Sequence, residues 1–123
     1  MIITTGLTKF YGEHRGVIDI DLGVGEGQVF GLLGPNGAGK TTCIRLFLDL
    51  IHPTSGSATL LGLDSRADSV RIRQAVGYLP GDFITYEKLT ARDLLEYFVN
   101  LRGHGMARAE SLAERFDLDL TRK

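Results

Sequence analysis

The segment "GPNGAGKT", Gly34 to Thr41, constrains this chain more than any other. It places three glycines, a lysine and a threonine between an apolar run, Val29 to Leu33, and a stretch with helical spacing. Glycine lets the backbone turn inward so that successive N–H groups converge on one point, and a helix N-terminus behind them adds its positive dipole end. The pattern G-x-x-x-x-G-K-[ST], with Gly34, Gly39, Lys40 and Thr41 in its fixed positions, therefore reads as a cradle for a phosphate chain. On that reading Gly34, Pro35, Asn36, Gly37, Ala38 and Gly39 wrap the phosphates. Lys40 reaches the β- and γ-phosphates as a point charge, Thr41 offers its hydroxyl to Mg²⁺, and Thr42 bonds a phosphate oxygen. The plainer alternative is a glycine-rich strand-to-helix turn with an exposed lysine; the strand-loop-helix setting favours the phosphate site.

The remaining chain divides by hydrophobic period. From Ile2 to Leu79 short β-prone runs alternate with glycine turns: "VIDIDLGV", "QVFGLLG", "SATLLG" and "AVGYLP". One helix is predicted within them, from "GKTT" to about Ile51, because Ile44, Phe47, Leu48 and Ile51 recur at helical spacing and Pro53 follows. A shorter helix is predicted within Ser65 to Gln74. After Leu79 the period becomes helical throughout. Leu94, Leu95, Phe98 and Leu101 form one stripe and Ala109, Leu112, Ala113 and Phe116 another, with "RGHG" as the break. Thr90 followed by Asp93 reads as a capping box. The expected organisation is an α/β core over residues 1–80 and the start of a helical region over 81–123, joined near "PGDFITYEKL".

Length and charge narrow the partners. A chain of 123 residues with 43% hydrophobic content suits one core, and a net charge of −1 creates no broad field for nucleic acid. No apolar run reaches the roughly 18 residues needed to cross a bilayer, and "MIITTGLTKF" lacks the order of a signal peptide. A cytoplasmic location is expected. The single cysteine, Cys43, excludes an internal disulfide; it reads as a packing residue or as an alkylation target beside the phosphate loop. His14, His52 and His104 share no metal-ligand spacing, and His52 falls where a helix C-terminus favours a cation. Asp93 and Glu96 read as a solvated helix face.

The wider run "GLTKFYGEHRGVIDIDLGVGEGQVFGLLGPNGAGKTT" resembles the start of an ATP-binding cassette (ABC) transporter ATPase, with Glu26 and Gly27 at the turn before the loop. The later stretch "SGSATLLGLDSRADSVRIRQAVGYLPGDFITYEKLTARDLLEYF" is similar to drug- and lipid-exporter members. The resemblance implies a P-loop α/β fold of the ABC type, with a β-subdomain and the beginning of a helical subdomain. It implies ATP and Mg²⁺ as cofactors, Tyr11 stacking on adenine, a transmembrane permease as partner, and a head-to-tail dimer with a second ABC ATPase subunit. It also implies a location peripheral to the cytoplasmic face of a membrane.

Two departures from the family pattern bear on catalysis. After "GYLP" the family has Gln or Glu near Mg²⁺ and the attacking water, whereas Gly81 stands here; Asp82 either takes that role or is a solvated turn residue. The chain shows no "LSGGQ"-like signature, no apolar run ending in Asp-Glu and no switch histidine; Asp64 in "TLLGLD" reads as a strand end. The resemblance thus matches the N-terminal half of a nucleotide-binding domain and implies that this chain alone binds Mg-ATP weakly with negligible turnover. A non-catalytic nucleotide-binding or interaction module is the rival reading. An ABC protein acting on ribosomes or DNA is a third, which the mild acidity and the exporter-like "YLPGDF" region disfavour.

Overall fold

Alternating exposed and buried residues along Ile2 to Val24 fold the N-terminal segment into a long hairpin, β1 (Ile2–Tyr11) and β2 (His14–Val24), closed where Tyr11 pairs with His14. The computed structural model describes residues 1–82 and 88–122. β3 (Ser55–Leu60) adds antiparallel to β1, and the short β4 (Leu63–Asp64) adds to β3, giving the sheet order β2-β1-β3-β4. The β1–β2 register shifts between Thr4 and Leu7 and again before Lys9 and Phe10. Buried threonines absorb the disruption: Thr4 Oγ1 donates to the Ile20 carbonyl at 2.7 Å, while Thr8 Oγ1 donates to the Gly6 carbonyl at 3.1 Å and accepts the Asp19 N–H at 2.9 Å.

Two helices, α1 (Lys40–Phe47) and α2 (Ser69–Ala75), complete this first unit, Met1–Gly77. Its core joins Leu7 and Val17 of the hairpin, Cys43, Leu46 and Phe47 of α1, Ala58 and Leu60 of β3, and Ile72 of α2. α1 is shorter than its apolar spacing predicts, ending at Phe47 instead of Ile51. Asp49 takes a left-handed φ of 53°, and the amides of Asp49 and Leu50 turn back to the carbonyls of Leu46 (3.2 Å) and Arg45 (2.9 Å). This Schellman closure satisfies the helix end before Pro53 is reached. Ile51 still packs on the core, which explains why it kept the helical spacing. His52, beyond the helix, bonds through Nδ1 to the Asp49 carboxylate at 2.9 Å.

Two predicted strands are absent. Val29–Leu33 and the "AVGYLP" run carry no strand, and the first residue of the latter, Ala75, closes α2. β-structure exists only where a ladder partner takes the backbone groups, and no strand among the described residues pairs with either run. Leu32 packs against the core, but Val29 and Leu33 stand fully in solvent, and Leu79 is also exposed.

The second unit, Tyr78–Lys123, contains α3 (Ala91–Leu101) and α4 (Ala107–Arg115). Residues 83–87, within the expected junction, and residue 123 lie outside the described residues. The capping box forms: the Asp93 N–H donates to Thr90 Oγ1 at 3.2 Å, and the Thr90 N–H donates to Asp93 Oδ2 at 2.8 Å. Asp93 is therefore a helix cap, not simply a solvated charge. α3 closes at Arg102, with the amides of Gly103 and His104 bonded to the carbonyls of Asn100 and Val99. Arg92 ties the helices together, donating to Glu110 at 2.8 Å with Glu96 at 3.8 Å, and Glu110 holds the guanidinium charge more firmly. The amides of Ala91 and Arg92 donate to the carbonyls of Arg122 and Leu120, so the chain's last turn covers the start of α3.

Replacing Thr90 with Ala removes the side-chain acceptor of this box and lowers the stability of the second unit by about 1 kcal/mol, measured by denaturant unfolding followed through helical circular dichroism. The unpaired apolar run is expected to make the chain self-associate. Sedimentation velocity checks this: the double variant V29K/L33K shifts the distribution toward monomer, whereas an already monomeric parent chain contradicts it.

Candidate functional site

The phosphate loop is seated on the hairpin through its last glycine. Gly39 is the N-cap of α1 with φ 89°, and a Cβ there would collide with Val17 Cγ1 and lie 3.2 Å from the Gly16 carbonyl. Only glycine meets both demands, the left-handed backbone and the close approach. The loop folds on itself as well: the Ala38 N–H donates to the Pro35 carbonyl at 3.2 Å. The first bond of the helix runs from the Cys43 N–H to the Gly39 carbonyl at 2.9 Å. Helix geometry thus leaves the amides of Lys40, Thr41 and Thr42 over, at the positive end of α1.

These amides open on a cleft of about 330 Å³ lined by Tyr11, Arg15 and Gly16 from the hairpin and by residues 36–42 of the loop and helix start. The structure therefore brings Tyr11 to the loop although Asn36 lies 25 positions further along the chain. Tyr11 ends β1, is 44% exposed, and has its ring edge beside Gly16. Gly34 and Pro35 contribute from behind: Lys40 Nζ donates to their carbonyls at 2.6 and 2.7 Å. An ammonium has three donors, so one remains for an anion in the cleft. Arg15 and Lys40 are the cations of the lining, and no carboxylate lines it among the described residues. A chain of net charge −1 thus presents a locally positive cleft, suited to a polyanion with an aromatic end group.

Arg15 and Gly16 escape a reading of the sequence alone. Their signal is position: they follow Tyr11 by four and five residues across a tight turn, and only the pairing of Tyr11 with His14 shows that they return to it. Cys43 is 5% exposed in the core, and burial pushes its thiol pKa up, which leaves it a packing residue with little thiolate. Asp64 ends β4, where it accepts the amides of Arg66 and Ala67 at 2.9 Å each. Those bonds, Ala67 first, hold its carboxyl below the usual range. Asp82 falls in a turn of the second unit.

Comparison with known proteins decides the family. The sequence model described as ABC transporter matches residues 17–123. The chain belongs to the ABC transporter family. Relatives include the daunorubicin resistance ATP-binding protein DrrA2 of Streptomyces coeruleorubidus, 44% identical over 91% of this chain and 36% of that protein. Another is the probable multidrug ABC transporter ATP-binding protein YbhF of Escherichia coli (strain K12), 39% identical over 87% of this chain and 19% of that protein. The chain thus spans between about a fifth and two fifths of these relatives' lengths. Among solved structures, an ATP-binding subunit of an ABC transporter superposes with a TM-score of 0.81 at 26% identity, over 98% of this chain and 53% of that one. An ATP-binding cassette solved as a dimer with ADP and Pi shares the fold at a TM-score of 0.81 and 22% identity, over 100% of this chain and 61% of that one. The fold is the P-loop α/β fold of ABC nucleotide-binding domains, present here in part. No described helix is long and apolar enough to cross a membrane.

The seat of the loop is open to test. Gly39→Ala forces the loop off Val17 and lowers ATP affinity at least tenfold, read by equilibrium binding of a fluorescent ATP analogue, while Ala38→Gly leaves affinity within about threefold.

Proposed function

We propose that this chain is the ATP-binding part of an ABC transporter, holding Mg-ATP in the Tyr11–loop cleft to power export through a partner permease. The observation that carries the reading is the convergence of an aromatic ring, a glycine-rich loop and two cations on one cleft that no carboxylate lines among the described residues. Tyr11 stacks on the adenine. The leftover amides at the start of α1, with Lys40 and Thr42, take the phosphate oxygens. Thr41 borders the cleft and is exposed, so its hydroxyl would be the protein's ligand to Mg²⁺. When bound, Mg²⁺ neutralises charge on the β- and γ-phosphates.

The names of the relatives, multidrug and daunorubicin resistance, support export as the direction and a drug-like substrate class. The permease supplies the membrane-spanning segments, and a second ATPase subunit closes the site head-to-tail, so the chain works at the cytoplasmic face of a membrane. Hydrolysis needs a base to orient the attacking water, and no described residue of the cleft supplies a carboxylate. Alone, the chain binds Mg-ATP and turns it over negligibly. The same absence favours one second reading, a non-catalytic nucleotide-binding module.

Lys40→Ala tests the site. Removing the charge-assisted bonds to phosphate weakens Mg-ATP binding about tenfold or more, measured by isothermal titration. Neither parent nor variant shows steady-state phosphate release; release by the parent that Lys40→Ala abolishes contradicts the inactivity. Adding a polypeptide that carries the family signature and an Asp-Glu pair separates the two readings. Hydrolysis gained on addition supports an enzyme part, and binding without hydrolysis supports the module.

A further inference from the structure

Tyr11 reaches the cleft as an exposed side chain at the end of a strand, where little packing would be expected to fix its ring. Two neighbours hold it. Gly16 lies against one edge, since a Cβ there would sit 3.0 Å from Tyr11 Cε2 and 3.4 Å from Cδ2. Lys9, two residues earlier on β1, places Nζ over the ring, 5.4 Å from its centroid and inside the range of a cation–π contact. Lys9 makes no ion pair with a carboxylate among the described residues, and it does not border the cleft, whereas Tyr11 and Gly16 do. The ammonium thus sits over the ring without being one of the residues that border the cleft.

We propose that Lys9 is a positioning residue for nucleobase stacking: its ammonium over the ring of Tyr11 fixes that ring and strengthens stacking of a base on the opposite face. The inference rests on the nucleotide reading above. A cation draws π-electron density toward itself, so the opposite face becomes less negative and repels the π-cloud of a stacked base less. The ring is also held in one rotamer before the base arrives, which lowers the ordering cost of binding. Gly16 supports the same arrangement, but a Cβ at Gly16 also meets the Lys9 carbonyl at 2.7 Å, so substitution there disturbs the strand pair itself. Lys9 is the residue to probe.

The experiment compares the whole chain with K9M, which keeps the apolar stem without the charge, and K9R, which keeps a cation able to lie over the ring. Each is titrated with ATP and with inorganic tripolyphosphate, which carries charge but no base, after circular dichroism confirms the fold. K9M weakens ATP binding about threefold and leaves tripolyphosphate unchanged, while K9R retains the affinity for ATP. Equal losses for both ligands overturn the inference in favour of long-range attraction of the phosphates. Unchanged ATP affinity in K9M overturns it while leaving the nucleotide reading standing. A parent chain that binds tripolyphosphate as tightly as ATP, or neither, overturns the nucleotide reading and this inference with it.

Discussion

The contact between Gly39 and the start of β2 is the constraint on which the rest of the site depends. Gly39 lies so close to Val17 and the Gly16 carbonyl that no side chain fits, and its left-handed backbone turns the loop into α1 at that point. Val17 is itself buried in the core with Leu7, Cys43 and Leu46, so one cluster anchors both the helix that presents its amides and the strand that returns Arg15 and Gly16 to Tyr11. Loop geometry and hairpin geometry are thereby one problem. A shift of the helix on the sheet would move the phosphate end of the cleft relative to its aromatic end.

The state of Lys40 follows from the same seat. With Gly34 and Pro35 held in front of α1, their carbonyls lie within 2.6 and 2.7 Å of its ammonium, which is tied to the loop and not swung into solvent. Two of its three donors are spent on these carbonyls and one remains. A small, open cleft lined by Arg15 and Lys40 is thereby locally positive despite the overall negative charge of the chain.

The unpaired runs show the opposite situation. Val29–Leu33 is followed directly by the phosphate loop, yet among the described residues only Leu32 of the run packs on the core. Its composition is that of a strand, and the missing ingredient is a neighbour for its backbone. The loop thus draws its support from the hairpin and from α1. Over nearly all of its own length the chain superposes on about half of a solved ATP-binding subunit.

Local chemistry was sufficient for the loop, for the existence of both helices after Leu79 and for the capping box at Thr90, because each is governed by residues within a few positions of one another. Val29–Leu33 and "AVGYLP" have the composition of strands but form none, because β-structure needs a partner that composition does not supply. α1 ended early because Asp49 accepted a left-handed turn, while the apolar spacing to Ile51 served packing beyond the helix. The sequence by itself determined that a glycine-rich loop carrying Lys40 and Thr41 leads into a helix. Only the tertiary structure decided that Tyr11, Arg15 and Gly16 share its cleft, because that depends on hairpin register and on the fit of Gly39 to Val17, contacts between residues far apart in the chain.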